Sequence, residues 1–324
     1  MKKLVTLILC LALIFCSTVT SSAESTKKIS IGSGSAGGGF YMGANSVANV
    51  VNTYVDGYEM TVEVVGASAN NAMLVQAGEI DLGMCATETA WEAYNGMYDF
   101  NGDAQCDKIR AVLPGWGGVY MFVTTVENNI NSLYDLEGKS FSSGSVGSAT
   151  EVFASRVYEV LGIHPNSMHL PVSEGSRGLS DGTIAGYMQA HPAPGVTELE
   201  VTNNIKLLVV GEEYKDKFAA TYPQYVWLTI PGGYYKALPE DTYGAGLYNM
   251  VISSVDFEEE AVYKIVKACY EHMDFIATIY PQFAEGMVLD NIGYSTIPYH
   301  AGAIRYFRER GIKVPEELIP AEVK

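Results

Sequence analysis

The sequence predicts an α/β protein made of two lobes with a ligand cleft between them. Short β-branched runs alternate with amphipathic stretches along most of the 324 residues, which is the pattern of parallel α/β sheets. This length is sufficient for two lobes that each bury a hydrophobic core. A strand followed by a glycine-rich loop and a helix occurs near residue 31 and again near residue 142. Each lobe is therefore expected to bring one such loop to the cleft.

Residues 1–23 predict a secretory signal peptide. Two lysines precede a largely apolar run, Leu4 to Phe15, which is too short to span a membrane, and small residues follow as far as Ala23. We expect export and cleavage after Ala23. Cys16 leaves a lipoprotein alternative open, although the bulky Phe15 before it argues against lipid attachment. The mature protein is thus expected in a periplasm or on the outer face of the cytoplasmic membrane.

The composition excludes several classes of partner. Acidic residues outnumber basic ones by 37 to 20, and the formal net charge of −17 argues against binding to nucleic acid. Cys85, Cys106 and Cys269 are too widely spaced for a metal site and allow at most one disulfide. We expect no cofactor and no metal ion.

The lobes are expected to be discontinuous in sequence. Residues 24–115 and 225–324 are assigned to the first lobe, and residues 116–224 to the second. Trp116 lies in the glycine-flanked segment 114–118, which we interpret as a turn between two strands at the first crossing. Its ring is a candidate wall for the ligand, and packing at the hinge is the alternative.

The first glycine-rich loop is a candidate anion site. Gly34, Ser35, Gly37 and Gly38 follow the first strand and precede a helix, where backbone N–H groups can approach a ligand closely. Tyr41, in the first turn of that helix, is expected to close one wall of the site.

The same loop satisfies the dinucleotide pattern GxGxxG, but its context does not fit. The pattern requires an acidic residue at the end of the second strand, and that strand ends in Gly66–Ala67–Ser68. Export also separates the protein from nicotinamide cofactors. We therefore expect the loop to bind a ligand without such a cofactor.

The second glycine-rich loop repeats the arrangement. Ser148 is a natural cap for the helix that follows it, and Thr150 adds a hydroxyl group. Both are candidate ligand contacts, and so is Gln189 near the end of a later strand. Two such loops, one in each lobe, would face each other across the cleft.

From Lys28 to about Gly311 the chain resembles the TAXI family of TRAP transporter solute-binding proteins. Five blocks carry the resemblance in the family's order, and the second of them gives Ser68 and Asn71 the polar positions of the ligand site. The blocks are Ile31 to Ala44, Gly66 to Met84, Asp135 to Lys139, Gly144 to Glu151, and the turn His191 to Pro194.

The resemblance implies a type II periplasmic-binding-protein fold that closes on a small carboxylate, such as an amino acid or a dicarboxylate. It also implies delivery of the ligand to TRAP membrane subunits that use an ion gradient. The sequence departs from the family after the third strand, where Ala86, Thr87 and Glu88 replace a Gln-Ser-Asp stretch. Thr87 and Glu88 remain candidate ligand residues, and the loss of the amide at Ala86 leaves the ligand open.

The sequence offers little for catalysis. It contains no HExxH or CxxC motif, and its scattered histidines make a poor zinc pattern. Residues 178–182 match GxSxG, but they precede a predicted strand and do not follow one as a nucleophile elbow requires. We therefore expect a binding protein and not an enzyme. The alternatives are a ligand-binding input for a sensor, and an exported hydrolase or dinucleotide enzyme that uses the same cleft.

Overall fold

The computed structural model of the chain describes residues 26–66 and 68–323. The predicted signal peptide, its cleavage after Ala23 and the alternative at Cys16 lie outside these residues. Within them, no helix has the length and apolar character needed to cross a membrane.

Three parallel strands and the helices that follow them form the first half of the sheet. The first strand lies between the other two and pairs with both in parallel. Val47 and Val51, on one face of the first helix, are fully buried, as its amphipathic spacing predicts. The elements are β1 (Lys27–Ser33), α1 (Gly39–Tyr54), β2 (Tyr58–Val64), α2 (Ser68–Ala77), β3 (Leu82–Ala86) and α3 (Thr87–Asn95).

A second parallel unit forms the other half. Its first strand pairs in parallel with the two strands on either side of it. The elements of this half are β5 (Ser140–Ser142), α4 (Ala149–Leu161), β6 (Asn166–Met168), α5 (Val172–Ser180), β7 (Gly186–Ala190), α6 (Pro194–Leu199), β8 (Ile205–Leu208) and α7 (Glu212–Thr221).

Two long antiparallel strands join the halves. β4 (Ile109–Thr125) pairs with β10 (Thr242–Ser254) along its first part and with β7 and β8 along its second part. β10 also pairs with β3 and with β9 (Val226–Ile230). The resulting strand order is β2-β1-β3-β10-β4-β7-β5-β6. This mixed α/β arrangement confirms the predicted fold class.

Trp116 is not in a turn. The two strands predicted around it are one continuous strand, β4, and Trp116 lies near its middle. The glycines here allow close contact between backbone segments and do not reverse the chain. A Cβ atom added at Gly118 would collide with the backbone oxygen of His191, and one added at Gly246 would collide with that of Gly118.

The C-terminal segment is divided into more helices than the sequence suggests. The amphipathic pattern between Asp256 and Tyr280 suggests one long helix, but it is interrupted at His272, whose φ of −123° and ψ of 36° are not helical. The glycine- and serine-rich residues 174–178 lie in helix α5. The C-terminal helices are α8 (Glu259–Glu271), α9 (Met273–Ile279), α10 (Pro281–Gly286) and α11 (Ala301–Glu309).

The buried apolar residues form three clusters that follow the two halves. The first cluster draws on residues 29–116 and 250–318, and the other two draw on Ala86 and residues 119–247. Tyr225, Tyr235 and Leu247 pack with residues of the second half. We therefore propose that the chain returns to the first lobe after Leu247, later than the boundary at 225 that the sequence suggests.

Candidate functional site

A cavity of about 100 Å³ lies between the two glycine-rich loops. The carboxyl ends of β1 and β7, the first turns of α1 and α4, and the crossing strands β4 and β10 form its walls. This is the position at which open α/β folds place their ligands, because strand ends and helix N-termini converge there. The cavity has room for a small organic molecule and not only for a single water.

The loops touch each other across the cleft. The hydroxyl oxygens of Ser35 and Ser145 are 3.0 Å apart, and the backbone N–H of Ala69 donates to the oxygen of Gly147 at 3.2 Å. Ser35 belongs to the loop after β1, and Ser145 and Gly147 to the loop after β5. The two lobes are therefore closed over the cavity.

Two helix N-termini point into this region. Gly38, the N-cap residue before α1, has extended backbone angles and provides no side-chain cap. Helix α4 begins differently, because Ser148 Oγ accepts a hydrogen bond from the N–H of Glu151 at 3.2 Å and lies 3.0 Å from Thr150 Oγ1. The first N–H groups of a helix have no partner within it, so both ends offer donors to an anion.

One wall of the cavity is apolar. Trp116 is 6% exposed and packs edge-on against Phe40, with ring centroids 6.3 Å apart, and against Tyr280 at 4.9 Å. Tyr120 and Leu247 extend this wall. Trp116 thus lines the cavity and also packs at the crossing of the lobes, and its contact with a ligand stays a prediction.

Asn249 is a deeply buried amide in the wall. Its residue is 3% exposed, and its Nδ2 donates to the backbone oxygen of Trp116 at 2.9 Å. Its Oδ1 has no hydrogen-bond partner within the described part of the chain. Buried acceptors are normally satisfied, so this oxygen is a candidate acceptor for a group bound beside Asn249.

Seven predicted site residues line the cavity, and they come from both loops and from the strands around it. Their role in binding a ligand stays a prediction. They are Gly34, Ser35, Gly38, Trp116, Ser148, Thr150 and Gln189.

Ser68 and Asn71 lie behind the cavity and hold the backbone together. Ser68 is fully buried, and its Oγ accepts the N–H of Ala86 at 3.0 Å. Asn71 Nδ2 donates to the oxygen of Met84 at 2.7 Å. Gly32 is needed beside it, because a Cβ atom there would collide with the Asn71 amide. Both polar positions therefore connect α2 to β3 without forming part of the wall.

The other four predicted residues also lie outside the wall. Gly37 is exposed, with a φ of +80° that favours glycine, and Tyr41 is half-buried on α1. Thr87 Oγ1 accepts the N–H of Tyr248 at 3.2 Å. Glu88 is 2% exposed and is separated from the cavity by Tyr120.

Glu88 belongs to a buried polar cluster behind Tyr120. The hydroxyl of Tyr120 donates to Glu88 Oε1 at 2.5 Å, and Glu88 Oε2 has no partner among the described residues. Burial raises the pKa of the Glu88 carboxyl from about 4.5 to about 7, although the Tyr120 hydrogen bond opposes this rise. Glu88 is thus protonated for much of its time at neutral pH.

An ion pair adjoins this cluster. Arg156 on α4 contacts both carboxylate oxygens of Glu92 on α3, at 2.6 and 2.7 Å. Arg156 also donates to Tyr225 Oη at 2.7 Å, and Gln224 Nε2 donates to Glu92 Oε1 at 2.7 Å. Both charged residues are more than nine-tenths buried. The pair connects the helix after β3 to the core of the second half.

Sequence reasoning missed the remainder of the cavity wall. Asn249 carried a signal, since it is the single amide in the otherwise apolar run 247–252 of a strand. The apolar residues carried none, because they look like ordinary core positions. The missed residues are Gly39, Phe40, Gly66, Ser145, Ala149, Val172, Ala190, Pro192, Leu247 and Asn249, whereas Tyr120, which follows the glycine-flanked segment, is a candidate from the sequence.

A larger space adjoins the cavity. It measures about 760 Å³ and shares Gly39, Val172, Gln189 and Pro192 with the cavity wall. Gly37 also lines this space. The two spaces therefore meet between α1 and the ends of β7 and α5.

Cysteines and histidines lie apart from the cavity chemistry. Cys85, Cys106 and Cys269 are buried free thiols. His191 Nδ1 is 3.1 Å from Tyr235 Oη, and burial lowers the pKa of His191 to about 4. In the described ranges, no three His, Cys, Asp or Glu residues are grouped as metal ligands.

Replacing Ser68 by alanine is expected to reduce stability and leave ligand affinity unchanged. The buried N–H of Ala86 would lose its acceptor, which costs about 1–3 kcal/mol. Urea unfolding and ligand titration of the variant would measure the two effects. Ser148→Ala is the matched comparison, because Ser148 lines the cavity and should lower affinity. Weakened binding by Ser68→Ala at unchanged stability would contradict this assignment.

Comparison with known proteins places the chain among two-lobed proteins. The model of the NMT1-like family matches residues 31–311. MatC (Rpa3494) from Rhodopseudomonas palustris with bound malate is 12% identical, with a TM-score of 0.58, and the match covers 86% of this chain and 97% of MatC. A protein of Bordetella bronchiseptica RB50 is 17% identical, with a TM-score of 0.51 and coverage of 92% and 86%. These likenesses show the type II periplasmic-binding-protein fold.

Proposed function

The chain belongs to the NMT1-like family, and we propose that it is an extracytoplasmic solute-binding protein without catalytic activity. It would capture a small ligand by closure of its two lobes and deliver that ligand to the membrane subunits of a transporter. The fold, shared with MatC, is consistent with this role.

The observation that carries the proposal is the cavity between the two loops. Residues from both lobes line it, and the Ser35–Ser145 contact at 3.0 Å closes the lobes over it. A ligand held there touches both lobes, so it stabilises the closed form relative to the open one. Membrane subunits can then distinguish loaded from empty protein by shape.

We further propose that the transporter is of the TAXI type within the TRAP class and that the ligand is a small carboxylate. The five sequence blocks support the first point. The N-termini of α1 and α4 support the second, because their free N–H groups suit carboxylate oxygens. Export would follow from the signal peptide that residues 1–23 predict.

Thermal unfolding against a panel of small carboxylates and amino acids tests the proposal. A ligand present at about 100 times its dissociation constant should add about 2.7 kcal/mol to the free energy of unfolding. The compound should be recovered chemically unchanged. Ala190→Phe should abolish the shift by filling the cavity, whereas Ala220→Phe, exposed on α7, should preserve it. Turnover of the compound, or a shift that survives Ala190→Phe, would argue against solute binding at this site.

A further inference from the structure

The cavity wall carries no charged side chain in the part of the chain that the structure describes. Its polar members are hydroxyls, two amides and backbone groups. Glu88 is screened from it by Tyr120, whose hydroxyl already donates to that carboxyl. The charge of a bound ligand would therefore be balanced by helix ends and not by ion pairs with side chains.

One helix end is free to hold an anion. Helix α1 has 16 residues, its N-cap residue Gly38 provides no side-chain cap, and its first turn has no acidic residue. Gly39 and Phe40, its first two residues, line the cavity. Their N–H groups have no partner within the helix, and the helix dipole favours a carboxylate at this point.

The second helix end is less available. Ser148 already caps α4, and Glu151 places a carboxylate in its first turn. A second anionic group on the ligand would find this helix end already capped, with no cationic side chain among the described lining residues to balance it. The site is therefore suited to one carboxylate and not to two.

An ammonium group finds no balancing charge. Burying an unpaired cation is costly, and Asn249 offers only a neutral oxygen. Asn249 is 3% exposed, and its Oδ1 has no hydrogen-bond partner among the described residues. This oxygen can therefore accept a hydrogen bond from a neutral hydroxyl. Phe40, Trp116 and Leu247 provide apolar surface for the remainder of the molecule.

We propose that the ligand is a monocarboxylate whose uncharged, largely apolar body carries a hydroxyl group, and not a zwitterionic amino acid or a dicarboxylate. The carboxylate lies at the N-terminus of α1, the hydroxyl donates to Asn249 Oδ1, and the body packs against Trp116. This inference rests on the proposed solute-binding function and narrows the class of its ligand.

Calorimetric titration of three compounds with one carbon skeleton tests it: 2-hydroxy-4-methylpentanoate, 4-methylpentanoate and leucine. The hydroxy acid should bind most tightly. Loss of the hydroxyl should weaken binding about tenfold, because Asn249 Oδ1 is left unpaired. The ammonium of leucine should weaken it by more than about a hundredfold. Malate and glutamate, which carry two carboxylates, should bind no better than leucine.

An Asn249→Asp variant places a negative charge at the wall without changing its size. It should weaken binding of the hydroxy acid and improve binding of leucine, whereas Asn95→Asp, exposed at the end of α3, should change neither. Tighter wild-type binding of leucine, glutamate or malate would overturn the inference and leave the solute-binding function intact. Failure of both monocarboxylates to bind would also overturn the inference. The broader panel of compounds in the thermal unfolding experiment would then test the solute-binding function separately.

Discussion

Arg156→Met is expected to lower the free energy of unfolding by about 3–5 kcal/mol. The substitution removes the guanidinium that bonds both oxygens of Glu92 and leaves that carboxylate buried with only the amide of Gln224 as a neutral donor. A lone buried charge is far more costly than a buried pair. Chemical denaturation at neutral pH measures the loss.

A double variant separates the cost of the orphaned charge from lost packing. Glu92→Gln combined with Arg156→Met removes both charges and should recover most of the stability, because replacing a buried pair by neutral groups is often close to neutral. A double variant as unstable as the single one would show that packing of the arginine stem, and not the stranded carboxylate, sets the cost.

Glu88→Gln is expected to stabilise the protein at alkaline pH and to have little effect near pH 5. Burial raises the folded-state pKa of Glu88 to about 7 from about 4.5. The folded state therefore binds more protons between these values, and the wild type loses stability as the pH rises through this window. At about 1.4 kcal/mol for each pKa unit, the loss approaches about 3 kcal/mol above pH 8. Glutamine avoids this loss and can still accept the hydrogen bond from Tyr120.

The difference in unfolding free energy between wild type and variant, measured from pH 5 to pH 9, is the informative quantity. Groups common to both proteins, including His191, cancel in this difference. Glu59→Gln, at an exposed carboxylate on β2, serves as the control and should give a flat difference. A flat profile for Glu88→Gln as well would mean that Glu88 is ionised in the folded protein at neutral pH.

The fold was largely predictable from the sequence, because the spacing of apolar residues and the positions of turn-forming residues agree along most of the chain. β1, its glycine-rich loop and α1 lie where alternation and helical spacing place them. The errors fall where tertiary contact overrides local signals. The glycines around Trp116 look like a turn, but they allow β4 to lie against neighbouring backbone. The break at His272 lies within a pattern that reads as one continuous helix.

The candidate site was predictable only in part. Loop residues such as Ser35 and Ser148 stand out because hydroxyls and glycines before a helix suggest anion binding. Ser68 and Asn71 have the same appearance in sequence, yet their side chains bond backbone groups of β3. Whether a polar side chain faces a cavity or a neighbouring strand depends on packing between elements, which local pattern does not encode.

The bare backbone at the strand crossing affects how the two halves fit together. Gly118 of β4 and Gly246 of β10 are diagonal neighbours in the ladder that joins the two halves of the sheet, and each lies against a backbone oxygen. A methyl group at either position would push backbone segments apart. Alanine at Gly118 or Gly246 would therefore disturb the joint between the halves and, through it, the fit of the two loops across the cleft.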